Sequence, residues 1–350
     1  MTSEPRHQNN GGHARSARLA HPTASRIVNK KILALVLCFF ATSIIATAAA
    51  ETSWPERPVK LIVGFAPGGP TDIFARLIGQ KLTDATGQNF FVENVRGAGG
   101  NIGTGRAAQS APDGYTVLVT GGNLTNNPFL FDHVPFDPIK DFDAVTLGAL
   151  TPVVLGVHPL VPAASVKELV ALIRATPGKF SYASPGTGTP PQLVGALFQH
   201  ELKLDLVHVP FEGGGNAVLA TVAGHTPISF GALAPAVPLI KDGKLRALAV
   251  TGKARAPTLP DVPTMAEAGF PEVEGATWTA LAVPAGTPKD IIAELNRLVV
   301  AALAAPDVKE KLAAIAYVPV GNSPAECEAF FKAEMAKWGP IIKAAGLRAE

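Results

Sequence analysis

Cysteine is almost missing from this chain: of 350 residues only Cys38 and Cys327 carry a thiol. Cys38 falls in an N-terminal apolar run that reads as a removable leader. The surviving Cys327 excludes an internal disulfide and is expected to be buried and inert. Basic runs are lacking beyond the leader, which excludes a nucleic-acid partner. No apolar stretch after residue 50 approaches the roughly twenty residues that a bilayer span needs, so no membrane helix is expected in the mature chain. Several enzyme signatures are also missing. Lys253 is followed by Ala254, so no G-K-[ST] occurs, and Ser184 lacks a G-x-S-x-G elbow. His133, His158, His200, His208 and His225 show no H-E-x-x-H pair or other metal spacing. Gly103, Gly105 and Ala108 fit G-x-G-x-x-A, but inside a helix start, with no acidic residue about twenty positions on. Neither an enzyme, a cofactor nor a metal is expected.

The first fifty residues stand apart. Residues 1–25 are polar and aperiodic; Arg26, Lys30 and Lys31 then precede an apolar run over 32–45, and small residues at 46–50 provide an A-x-A cleavage site before Glu51. This pattern predicts a cleaved signal peptide and a periplasmic mature protein, with translation starting near Val28 from a non-Met codon. Leu37 beside Cys38 argues against lipidation, because that position needs a small residue. Removing the leader takes away six Lys/Arg and one acidic residue, which leaves 24 against 27 and a net charge of −3.

What the chain does have is a repeated strand followed by glycine. Residues 59–65 form an apolar, β-branched run that Pro67, Gly68, Gly69 and Pro70 terminate. An amphipathic helix is predicted over 71–86, with Ile73, Leu77, Ile78 and Leu82 on one face and Thr71 or Asp72 capping its start. A second run, 89–95, leads into RGAGGNIGTG, where Asn101 can cap a helix through Ser110. A third, 115–120, ends at Gly121, Gly122 and Asn123. Glycine brings backbone N–H groups within reach of an anion, and three such loops at the carboxyl edge of a parallel sheet mark a ligand site for a carboxylate or phosphate.

Residues 126–140 read as a loop, punctuated by Pro128, Pro135 and Pro138. The long uncharged run 142–158 is expected to pass into a second set of elements. There a helix spans 166–175 and a short strand 180–183. The loop SPGTGTP then precedes a helix over 191–202, and a strand over 204–211 ends in EGGGN. Further strands are predicted over 227–232 and 245–251, with a helix over 235–241 between them. The run 276–283 returns the chain to the first set, and helices over 289–304, 308–315 and 324–345 close the molecule. Two α/β lobes joined by two crossing strands describe a clamshell that closes on its ligand.

FAPGGPTDIFAR, NVRGAGGNIG, APDGYTVLV, SPGTGTPPQL, VPFEGGGNAV, GKLRALAVT, LPDVPTMAEAGFP and LAVPAGTP, in that order, resemble the Bug family of periplasmic solute receptors of tripartite tricarboxylate transporters. The resemblance runs over residues 54–347. It implies an α/β, type II Venus flytrap fold with two crossing hinge strands. Lobe 1 would comprise 51–152 with 277–350, and lobe 2 would comprise 153–276. It also implies a monomer that delivers a small organic carboxylate to a permease of one large and one small membrane subunit. Receptors of this kind can instead present ligand to a sensor kinase.

In the family the ligand carboxylate is held by backbone amides, hydroxyls and ordered water in the first two loops. Carried over, these positions are Phe65, Ala66, Pro67, Gly68, Gly69, Thr71 and Asp72, then Ala98, Gly99, Gly100 and Asn101. Thr120 and Asn123 share that wall, and Ser184, Gly186, Thr187, Gly188, Thr189 and Gly213 approach from lobe 2. The family pattern usually has His where Gln192 stands, Lys where Glu212 stands and Asp where Pro227 stands. With Glu212 facing the cleft, these departures predict a monocarboxylate or aromatic acid.

Other residues have two readings each. Asp72 either caps its helix, the favoured role, or contacts ligand, with Arg76 as its partner. Arg96 and Arg106 flank the second loop as solvated cations or as sources of positive potential. Trp278 either stacks on an aromatic ligand or packs in the core, and His208 is the histidine placed nearest the cleft.

Overall fold

The computed structural model describes residues 54–211 and 213–349. The leader, the start-codon and lipidation readings and Glu212 lie outside the described residues. Two small parallel groups of strands are stitched into one ten-stranded sheet by two long antiparallel strands. In the first group β1 (Val59–Val63) pairs in parallel with β2 (Phe90–Asn94) and β3 (Thr116–Thr120). In the second, β5 (Phe180–Ser184) pairs in parallel with β6 (Leu206–Pro210) and β7 (Ile228–Ala232).

The stitching strand is β4 (Phe142–Val157). Its first part runs antiparallel to β9 (Ala276–Pro284), from Phe142 opposite Pro284 to Pro152 opposite Ala276. Its last residues, Val153 to Val157, pair with β7, and Val154 to Val157 also pair with β8 (Arg246–Val250). Three register shifts interrupt these pairings, and such irregularities bend and twist a strand. β9 also pairs with β3 and so brings the chain back to the first group. Short β10 (Val318–Pro319) completes the sheet against β4.

Helices cover the sheet where apolar faces demand it. α1 (Pro70–Thr86) buries Phe74, Ala75, Ile78 and Leu82, whereas Ile73 is 39% exposed. Ile78 and Leu82 are inside as predicted and Leu77 is partly so, but Phe74 and Ala75 take the place expected for Ile73. A short 3-10 turn (Ala98–Gly100) precedes α2 (Asn101–Ala108). Residues 123–130, read partly as loop, form α3 (Asn123–Leu130) with Pro128 inside it.

α4 (Val166–Ala175) is held at its start by Ser165, whose hydroxyl accepts from the Glu168 N–H. α5 (Pro190–Leu202) begins with two prolines, whose missing N–H groups leave nothing unsatisfied in a first turn. α6 (Gly214–Val222), α7 (Leu233–Lys241), α8 (Lys289–Ala304) and α9 (Pro306–Ala314) follow.

The last helix, α10 (Pro324–Ala344), opens with a capping box between Ser323 and Glu326. Cys327 and Phe331 on its first half pack with Trp278 in one apolar cluster. Trp338, Ile341 and Ile342 on its second half pack in another, with Tyr182, Phe198 and Phe230. Cys327 is buried, as expected, and burial pushes its thiol up to about 12.

Candidate functional site

The exits of β1, β2 and β3 lie side by side, and much of their glycine content serves backbone packing. A Cβ on Gly64 would fall 3.0 Å from the Gly100 Cα, and one on Gly103 would fall 2.6 Å from the Val95 carbonyl oxygen. The chain after β2 can therefore lie directly on the exit of β1 only if these positions stay bare.

Asp72 does not cap α1. Gly69 is the cap residue and makes no side-chain cap hydrogen bond. The Asp72 side chain instead points back into the loop, where its Oδ2 accepts from the Gly68 N–H at 2.9 Å and from Arg76 Nε at 2.9 Å. Its Oδ1 accepts from Asn94 Nδ2 at 2.9 Å, and Asn94 also donates to the Phe65 carbonyl. Burial alone would raise the Asp72 carboxyl, but Arg76, the Gly68 N–H and Asn94 outweigh it and hold it below the usual carboxylate range. The first loop thus carries an internal anion, and its Gly68 donor is already engaged.

Asn101 is likewise not a cap. It is buried, and its Oδ1 accepts from Asn127 Nδ2, which also donates to the Gly99 carbonyl. Asn127 on α3 thereby fixes the second loop. The third exit is ordered from within: Asn123 Oδ1 accepts from Thr120 Oγ1 and from the Gly121 N–H, each at 3.2 Å. That orientation leaves Asn123 Nδ2 on the side of Gly100, 2.9 Å from where a Gly100 Cβ would lie.

The second parallel group supplies the facing loop. Thr189 Oγ1 donates to the Gly186 carbonyl at 2.7 Å, and the Gly188 N–H donates to Gln192 Oε1 at 3.3 Å. Gln192 is therefore a buried loop anchor. The two groups meet here: a Cβ on Gly188 would lie 2.8 Å from Leu130 Cδ1, and one on Gly122 would lie 3.3 Å from Pro190 Cγ.

Between them is a cleft of about 190 Å³. Of the positions read from sequence, Phe65, Thr71, Gly99, Asn123, Thr187, Gly188, Thr189 and Trp278 line it. Ala66, Pro67, Gly68, Gly69 and Asp72 are outside the lining, as are Ala98, Gly100 and Asn101 in the second loop; of these, Ala66, Pro67, Gly68 and Ala98 are exposed to solvent. Thr120 acts through Asn123, and Gly186 through Thr189. Gly213 is exposed and turns its N–H to the Pro185 and Phe211 carbonyls.

Ser184 is fully buried and 2.7 Å from His208 Nε2. His208 lines a separate hollow with Tyr182 and His200, so neither residue faces the cleft. Burial lowers the His208 pKa. The Trp278 ring is in the core, stacked on Phe331 and edge-on to Phe330. Arg106 pairs with Glu93, and Arg96 is exposed.

Sequence reading missed Asn127, Leu130, Phe131 and Pro190, which also line the cleft. An Asn and a Phe four residues apart would share a helical face, but the prolines of 128–138 disguised that helix as loop. Among the described residues lining the cleft there is no Lys, Arg, His, Asp or Glu. Among the described residues, too, no group of acidic, His or Cys side chains could hold a metal ion.

Loops from both strand groups over one shared cleft give the architecture of the periplasmic-binding-protein class of solute receptors. Residues 74–347 match the model of the tripartite tricarboxylate transporter family receptor, and the chain belongs to that family. It is 34% identical over 320 residues to the protein BugT of Bordetella pertussis, which covers 91% of this chain and 98% of that one. A Rhodopseudomonas palustris protein solved with adipate is 34% identical at a TM-score of 0.73, covering 84% of this chain and 99% of the other. MatC of Rhodopseudomonas palustris, solved with bound malate, is 34% identical at a TM-score of 0.70, covering 83% and 100%.

Proposed function

We infer that this protein captures a small organic carboxylate in the cleft between the two strand groups and presents it to a membrane permease of one large and one small subunit. The observation that carries the reading is the convergence of Thr71, Asn123 and Thr187, from both sides, on one uncharged cleft. Amide and hydroxyl donors suit an anion in a site from which water is excluded. The adipate and malate seen in two relatives support the same ligand class.

In this reading residues 51–152 with 277–350 form one lobe and 153–276 the other, and β4 and β9 are the strands about which they close. The leader directs the chain to the periplasm, where it acts as a monomer. Ligand docks first on the loops after β1 to β3, and closure adds Thr187 and Thr189.

A thermal-shift screen against small carboxylates tests the ligand class. A ligand at about a hundred times its Kd should stabilise the protein by roughly 2.7 kcal/mol. No response to any carboxylate would contradict the reading. Loss of growth on the ligand in a strain lacking the receptor, restored by the intact gene, tests delivery.

A further inference from the structure

Ser184 and His208 lie outside the cleft, yet they meet at the root of the loop that the second strand group turns toward it. Ser184 ends β5, and His208 sits on β6 opposite Tyr182. Ser184 Oγ is 2.7 Å from His208 Nε2 and accepts the Gly186 N–H at 3.3 Å. The Gly186 carbonyl in turn accepts from Thr189 Oγ1 at 2.7 Å. Thr187 and Gly188, between those two anchors, line the cleft.

The serine proton has two acceptors in reach. One is His208 Nε2, and the other is the Gly186 carbonyl, 3.4 Å away and already held by Thr189. A hydroxyl donates well over about 2.5–3.0 Å, so the proton goes to His208. Nε2 is then the bare nitrogen of a neutral ring whose own proton is on Nδ1. Burial favours the neutral ring as well. A protonated His208 has no acceptor left. Its Nε2 must donate to Ser184, and the serine proton is left with the distant Gly186 carbonyl.

Few other charges act on this ring. Around it are Tyr182 from β5, Gln192, Gln199 and His200 from α5, and Ala345 and Leu347 at the end of α10. Among the described residues lining this hollow there is no Lys, Arg, Asp or Glu, and Glu201, Lys203 and Asp205, close in sequence, are exposed outside it. Of the lining groups only His200 has an ordinary pKa in the same range.

We propose that His208 is a positioning residue for ligand capture: its neutral Nε2 takes the Ser184 proton and braces the loop of Thr187 and Gly188, and protonation of the ring slackens that loop and weakens binding. This rests on the receptor reading of the cleft and adds a proton sensitivity to it.

Nitrogen-15 NMR of the unliganded protein tests the brace without a ligand. At about pH 7.5 His208 should be the Nδ1–H tautomer, and as pH falls the amide signals of Gly186, Thr187 and Gly188 should move with the midpoint of the ring. Ser184→Ala should uncouple loop from ring, and His200→Asn should not. An Nε2–H tautomer, loop amides that ignore the ring, or the opposite behaviour of either variant would overturn the proposal. Calorimetric titration with malate and adipate reads the effect on binding. Below the ring's midpoint the parent should lose about threefold or more in affinity. His208→Ala should bind more weakly than the parent at about pH 7.5. His208→Gln, whose amide oxygen accepts a proton but does not titrate, should recover part of that loss and show only the acid's own pH dependence. Parent and His208→Gln profiles of the same shape would overturn the proposal and leave the carboxylate reading standing. Silence of the parent toward these acids and every other small carboxylate would contradict that reading, while the NMR result decides the brace either way.

Discussion

Trp278 and Trp338 donate their indole N–H groups to the same oxygen, Oε2 of Glu334, each at 3.0 Å. The two rings belong to different apolar clusters, one beneath the first strand group and one beneath the second. Glu334 therefore ties the two cores together from within α10. Glu334→Ala would leave two buried indole donors unpaired, at about 1–3 kcal/mol each less any water that reaches them. A loss of about 2–4 kcal/mol in urea unfolding is expected, and Glu334→Gln, which keeps an acceptor, should lose less. Equal losses for both variants would show that packing, not hydrogen bonding, sets the effect.

Gly188 and Leu130 mark the place where the two halves touch. Gly188 has φ +78, and a Cβ there would lie 2.8 Å from Leu130 Cδ1. Gly188→Val should hold the halves apart and weaken ligand binding about tenfold or more, beyond the roughly 1–2 kcal/mol of backbone strain expected in stability. Titration beside small-angle scattering checks both effects. Unchanged affinity would place binding elsewhere.

Asp72 carries a pH signature. Its folded pKa lies below the unfolded value of about 3.9. The folded state therefore binds its proton less readily than the unfolded state does, and the stabilisation is complete above that unfolded value. It is lost as pH falls through the folded value. Asp72→Asn should be less stable than the parent at pH 7, and the gap should narrow progressively below about pH 4. A gap that stays constant down to about pH 2 would contradict the Gly68 and Arg76 contacts.

His208 works in the other range. Burial lowers its folded pKa, so the unfolded chain takes up the proton first as pH falls from about 6.5. Stability should decline below that pH, down to the folded value. Replacing His208 with Asn should flatten this part of the curve, as urea unfolding at about pH 7.5 and pH 5.5 would show. A slope that persists would belong to another group.

The chain's order of elements was legible because each element carries a local signal. α4 and α8 span the predicted residues, since the apolar period holds along both and Ser165 caps α4. α1 kept its place and most of its face, with Ile73 the exception. Ile73 looked apolar enough to be inside, yet packing under β1 to β3 selected Phe74 and Ala75. α3 was hidden because Pro128 is a breaker by local rules, while its place in so short a helix forfeits little backbone bonding.

The site was half legible for the same kind of reason. Glycine-rich exits marked the right edge of the sheet. Sequence could not say which glycines serve backbone packing, as Gly64 and Gly103 do, or that Asp72 would occupy the Gly68 donor. Long-range partners such as Asn127 for Gly99 and Gly188 for Leu130 have no local sign.

A crystal structure with the small carboxylate that stabilises the protein most in the thermal-shift screen tests the central claim most directly, because it fixes where the ligand's carboxylate lies. The account predicts the carboxylate within hydrogen-bond distance of Asn123 Nδ2 in this cleft, with contacts from Thr187 or Thr189 on the opposite side. A ligand bound outside this cleft, or one touching only a single strand group, would contradict it.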